Sequence, residues 1–207
     1  MGSGCLGKVI VSDVKHNFLV HYGIAVGLLF LTGILFGLAE LDARLAAQPL
    51  EKMMPLLGMI LFVPIFLPEQ NSDIEDVVRS KRTSHTLVCM LRLACSALII
   101  LGLTGILSLY MKYNACEVTL AHFASAAAGA MSLGGIGFFV AAVSDNAVAG
   151  YMSTIIYYLM NYTMRNWLGP FYLFSMSAGM ECRAVWQFAL AGTCIVAGIL
   201  LRRYKKQ

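Results

Sequence analysis

From Phe18 to Ala39 the chain runs without an aspartate, glutamate, lysine or arginine, and His21 is the one interruption of its apolar character. A hydrocarbon core of about 30 Å is crossed by roughly 20 apolar residues in a helix, because the rise is about 1.5 Å per residue. In lipid the backbone polar groups must be satisfied inside the segment, so such a run has to be helical. It is also about twice a usual signal-peptide core, which predicts an anchor that stays in the protein. The start, MGSGCL, lacks the Ser or Thr that a myristoylation signal carries at the position of Leu6.

Five more stretches repeat the pattern: Met53–Leu67, Leu93–Met111, Val118–Val143, Ala147–Met164 and Ala184–Leu201. The second stretch carries Pro55 and Pro64, which predicts a kinked span or one that recruits Pro49–Lys52. Mean hydropathy is +0.75. The expected fold is therefore an all-α polytopic membrane protein, a single transmembrane domain over 1–207 with spans at about 18–39, 53–67, 93–111, 118–143, 147–164 and 184–201. One apolar piece remains, Asn166–Met180, reading NWLGPFYLFSMSAGM. It is too short to span and is broken by Gly169-Pro170, so a re-entrant segment before the sixth span is expected. Its aromatics Trp167, Phe171, Tyr172 and Phe174 suit the headgroup boundary.

Lys and Arg set the expected orientation. With the N-terminus inside, the inner segments hold Lys8, Lys15, Arg79, Lys81, Arg82, Arg92, Arg202, Arg203, Lys205 and Lys206. The outer ones hold Arg44, Lys52, Lys112, Arg165 and Arg183. That bias predicts a multi-pass protein of the cell membrane, a bacterial plasma membrane, with both termini cytoplasmic. Residues 5–17 place Leu6, Val9, Ile10 and Val14 near one face and Lys8, Asp13 and Lys15 elsewhere, as an interfacial helix in contact with lipid does.

Charge is otherwise avoided: 13% of residues against 59% hydrophobic. The exception is 69–91. There Ser72-Asp73-Ile74-Glu75 matches a capping box. Glu75 and Asp76 stand one helical turn before Arg79, and Ile74, Val77 and Val78 share a face. A solvated loop and a docking helix both fit this stretch. Acidic and basic residues together suit a protein partner better than lipid.

Catalytic signatures do not appear. The chain has no HExxH or GxSxG, its spans hold no paired carboxylates at helical spacing, and its six cysteines form no CxxC. Cys116 and Cys182 fall in outer loops, where a disulfide is open. His21, His122, Glu117 and Asp145 lie at span ends and read as packing or loop residues. Ser125, Gly129, Gly134 and Gly135 in ASAAAGAMSLGGIG fit close helix packing, with a role in a transport pathway as the alternative. No basic patch interleaved with aromatics points to nucleic acid.

An interfacial helix, six spans, one charged inner loop after the second and a broken segment before the sixth: this order resembles the permease subunits of type 2 ABC exporters. In many of them the inner loop reads as an acidic stretch, Gly-Thr, an apolar pair, Ser-Lys-Pro-x-Ser-Arg and a later Gly-Lys. Here SKRTSH at Ser80–His85 stands at the second part, with Arg82 for the proline and His85 for the arginine. Arg92 lies near the later lysine, and Gly-Thr is missing. The resemblance implies a coupling helix seated on an ATPase through Asp73, Ile74, Glu75, Asp76, Val77, Val78, Arg79, Lys81 and Arg82. No GxxxxGK[ST] occurs, so the chain is not expected to be an enzyme and holds no cofactor of its own. The resemblance further implies a separate cytoplasmic ABC ATPase carrying ATP and Mg, a second permease subunit (identical or related), and lipophilic or amphipathic cargo, drug-like or peptide. The alternatives are a six-span substrate-binding subunit of a vitamin importer, a membrane-embedded enzyme, and an immunity or assembly protein.

Overall fold

The computed structural model describes residues 19–69 and 85–205. The expected interfacial helix at 5–17, and the coupling residues from Asp73 to Arg82, lie outside the described residues. Every regular element among those described is helical: α1 Leu19–Phe36, α2 Ala43–Phe62, α3 His85–Tyr113, α4 Leu120–Ser144, α5 Ala147–Thr163, α6 Arg165–Leu168 and α7 Ala184–Lys205. Two 3-10 segments, Val63–Glu69 and Gly169–Phe171, complete them. Five helical stretches, Leu19–Phe36, Ala43–Leu67, Val88–Tyr113, Leu120–Ser144 and Ala184–Tyr204, are long and apolar enough to cross a membrane. The chain is thus a multi-pass membrane protein by helix length and apolarity. α5, with 17 residues, is shorter than these five.

Several element ends depart from the sequence expectation. α1 stops at Phe36 because Gly37 takes φ +55 and ends the helical path. α2 begins at Ala43 rather than near Met53 and runs straight through Pro49 and Pro55. A proline removes one helical hydrogen bond and crowds the preceding turn. Both prolines are buried here, and Pro55 packs on the position left open by Gly129 of α4. Packing holds the helix together where local preference would break it. Pro64 acts as expected of a breaker: the α-helix gives way at Val63 to the 3-10 segment. α3 starts at His85, so the end of the expected 69–91 loop is helical.

The long helices run back and forth. Connections 37–42, 114–119 and 164–183 gather at one end. There Glu40 N donates to the Asn114 carbonyl at 3.0 Å and Glu117 N to that of Leu41 at 3.0 Å. The Glu117 carboxylate accepts from Ala43 N at 3.2 Å, a favourable charge at the start of α2. His122 Nε2 lies 2.8 Å from the Ala43 carbonyl, and Thr119 N donates to His122 Nδ1 at 3.2 Å, which selects the tautomer with its proton on Nε2. At the opposite end Arg92 donates to the Ile65 carbonyl at 3.2 Å, and Arg202 sits 3.9 Å above the Phe66 ring.

α4 is the centre of the bundle, packed against α2, α3, α5 and α7. Small residues make this possible. A Cβ on Gly58 of α2 would fall 1.7 Å from the Ala130 carbonyl oxygen, and one on Gly134 would meet the Gly58 backbone at 2.7 Å. Gly135 faces the backbone of Ala191 in α7. Gly137 faces Gly150 of α5 in the same way. α1, by contrast, touches α2 and α3 alone among elements with substantial contact, and only Ala25 and Thr32 of it are buried.

Candidate functional site

Between α5 and α7 the chain cannot continue as a helix. Gly169 and Gly179 have φ +49 and +76, and the stretch between them is a short 3-10 turn followed by irregular backbone. Tyr172, Leu173 and Phe174 are nevertheless buried. Buried irregular backbone must find hydrogen-bond partners outside itself. Here residues 169–180 form a strap across the bundle end, and side chains from four helices supply those partners.

Glu51 is the principal one. It lies in α2, 1% exposed. Its Oε1 accepts from Met176 N at 3.0 Å and from Ser125 Oγ at 2.7 Å; its Oε2 accepts from Ser177 N at 2.8 Å. All three partners are neutral donors, and a carboxylate is an acceptor only, so the pairing is complementary. Asn161, fully buried in α5, accepts from Leu173 N at 2.8 Å through Oδ1 and donates to the Tyr157 carbonyl at 2.8 Å through Nδ2. Gln187, fully buried in α7, donates to the Tyr172 carbonyl at 2.8 Å. Tyr157 Oη donates to the Phe171 carbonyl at 2.7 Å.

Three arginines complete the clamp on the carbonyl side. Arg44 Nε donates to Ser177 O at 3.1 Å, Arg165 to Ala178 O at 3.3 Å, and Arg183 to Gly169 O. The strap also has its own apolar cluster, Tyr172, Leu173 and Phe174 packed with Tyr157, Tyr158, Leu168, Ala178 and Met180, separate from the main core. Burial pushes the Tyr172 phenol up from its ordinary value; Arg165 works against this, and Glu51 and Tyr162 add to it.

The four residues expected in helix packing or a pathway all lie on α4, but they meet different partners. Ser125 bonds Glu51 beside the strap. One turn further along, Gly129 faces Pro55, Leu173 and Gln187. Gly134 meets α2, and Gly135 meets α7. Cys116 is buried and Cys182 exposed, both as free thiols. Among the described residues no group of histidine, cysteine and carboxylate side chains is gathered as a metal site.

Glu51, Asn161 and Gln187 were not singled out by sequence reasoning. The bounds Met53–Leu67 leave Glu51 out, and the alternative that recruits Pro49–Lys52 takes it into the helix without giving it a role. A signal was present. With the helix extended back to Ala43, Glu51 falls on the face of Ala47, Met54 and Gly58, all in contact-forming positions. A carboxylate on such a face needs buried donors. Compared with known protein families, characterised proteins and solved structures, the chain matches none.

Proposed function

We propose that this chain is the membrane-spanning permease subunit of an ATP-driven exporter of the type 2 ABC kind. It moves lipophilic or amphipathic cargo across a bacterial plasma membrane. A separate cytoplasmic ABC ATPase supplies ATP and Mg, and a second permease copy or relative completes the transporter. Both termini and the 69–91 connection face the cytoplasm, and the strap faces outward.

The observation that supports this reading best is the polarity of the bundle. The Glu51-held strap lies at one end, just before the last helix. The 3-10 segment that leads into 69–91 lies at the other, next to Arg92 and Arg202. An outward strap and an inward coupling segment on opposite ends of one bundle suit a transporter driven from the cytoplasm. The buried carboxylate serves the strap and stands beside no second acid among its partners, so it offers no acid–base pair for hydrolysis.

The test is co-purification with a cytoplasmic ABC ATPase co-expressed with this chain. Val77→Asp with Val78→Asp puts two carboxylates into the expected contact and leaves every described helix unchanged. This variant should reach the membrane at the parent's abundance yet lose its ATPase, because buried apolar anchors contribute more than rim charges. Arg79→Ala should cost less and respond more to salt. Retention of the ATPase by the double variant would refute the coupling assignment.

A further inference from the structure

Arg44 and Arg165 are both exposed and share one turn of the strap. Arg44 Nε donates to the Ser177 carbonyl, and its Cζ lies 3.8 Å from the place a Cβ would take on Gly179. Arg165 Nη2 donates to the carbonyl of Ala178, between those two residues. Consecutive Cα atoms are about 3.8 Å apart, so both guanidiniums stand within the span of a single lipid headgroup. Each uses one N–H on a carbonyl and keeps the rest of its five for another acceptor.

The carboxylates at this end of the bundle do not neutralise them. Glu51 accepts from the strap amides and Ser125, and Glu117 accepts from Ala43 N. Asp42 and Glu181 are exposed, and neither forms an ion pair with Arg44 or Arg165. Tyr172 adds a third donor. It is 7% exposed, and its Oη bonds no other described group, although a buried hydroxyl ordinarily has a partner. The Arg165 charge acts on that phenol.

Aromatic residues mark the depth of this group. Trp167, two residues past Arg165, is 89% exposed, and Tyr162 is exposed just before it. Such rings belong at the headgroup boundary of a bilayer. From Tyr162 an exposed apolar stripe continues along α5 through Leu159, Ile156 and Met152.

We propose that Arg44, Arg165 and Tyr172 bind the phosphate of an anionic phospholipid whose acyl chains lie along the α5 stripe. Phosphate oxygens accept from guanidinium and phenol donors, and arginine meets them in a forked, charge-assisted geometry. A zwitterionic head carries its own ammonium and gains less from two guanidiniums. A free phosphate shares the head chemistry and lacks the chains. The site goes beyond the export reading and does not depend on it, because the same contacts form whichever leaflet this end faces.

The chain carries two tryptophans. In a Trp186→Phe background Trp167 is the sole reporter, two residues from Arg165. The experiment places this protein in phosphatidylcholine nanodiscs. It adds phosphatidylglycerol or phosphatidylcholine with acyl chains brominated near the headgroup, which quench a tryptophan they touch. Brominated phosphatidylglycerol should associate about fivefold or more tightly than brominated phosphatidylcholine. Arg44→Gln with Arg165→Gln should bring the two lipids level, while Arg203→Gln at the opposite end should leave the preference intact. Tyr172→Phe breaks no bond among the described residues, so it should keep the melting temperature and lower the preference about twofold. It decides the matter should the double arginine variant fail to fold. Equal quenching by both lipids in the parent overturns the proposal, as does an unchanged preference in Tyr172→Phe. An equal loss in Arg203→Gln would show an effect of overall charge and overturn it too. Glycerol phosphate should not relieve the quenching; full relief would assign the site to a free phosphate and refute the lipid.

Discussion

The α2–α4 contact and the strap are both buried, yet they are built on opposite principles. At Gly58 and Gly134 two helices approach until their backbones touch. Each helix has already satisfied its own peptide groups, so nothing is asked of side chains except to be small. In the strap no such internal ladder exists. Its peptide groups are answered by Glu51, Asn161, Gln187, Tyr157 and three arginines, reaching in from α2, α5, α6 and α7 or its approach. Apolar surroundings reward regular backbone with simple packing; irregular backbone has to be matched donor by donor.

The comparison can be broken most severely at Gly58. A side chain there meets carbonyl and amide atoms of α4 that have no rotamer to yield. Gly58→Leu should cost about 3 kcal/mol or more, the upper range for overpacking, and should abolish a cooperative melt of the purified protein. A melt within a few degrees of the parent's would mean the two backbones are not in contact.

Glu51→Ala should act more locally. It orphans the N–H groups of Met176 and Ser177, at about 1–3 kcal/mol for each buried donor. Hydrogen exchange should rise by one or more orders of magnitude at those two amides and stay slow in the middle of α4. Equal acceleration in α4 would show that the strap and the core are one cooperative unit.

The smallest effect sharpens the contrast from the other side. Gly23 of α1 has no heavy atom within 4 Å of a would-be Cβ. Gly23→Ala should therefore leave the melting temperature unchanged or raise it by a few degrees at most, since the gain in helix propensity is up to about 1 kcal/mol. A loss there as large as at Gly58 would place an unseen partner against α1.

What local sequence could and could not reveal follows the same divide. Hydropathy is a local property, and an all-helical multi-pass protein is legible from Phe18–Ala39 and its companions. Helix ends were harder because they depend on partners. Pro49 and Pro55 argue for a break, and α2 continues through both because α4 leaves room for Pro55 at Gly129. The place of Glu51 on the buried face of an extended α2 was legible, but its partners were out of reach for a related reason. The amide of Ser177 that it accepts is 126 residues away, and no periodicity in α2 announces that distant irregular backbone will need a carboxylate. The coupling residues from Asp73 to Arg82 stand on sequence pattern and resemblance.

The lengths of the helices carry a last consequence, for how the bundle sits in a bilayer. α1 has 18 residues and α3 has 29, about 27 Å and 44 Å at 1.5 Å per residue. A hydrocarbon slab of about 30 Å cannot suit both standing upright. Hydrophobic mismatch of this size is relieved by tilting or by protrusion. α1, which among the described residues packs substantially on α2 and α3 alone, can adjust its tilt to the thickness of the membrane around it more readily than the central α4. α3 is fixed to its neighbours at both ends, so its surplus length must emerge. Each end of α3 carries a cation that can sit at the water boundary, Arg92 near its start and Lys112 in its last turn, so the surplus can be shared between the two sides of the protein.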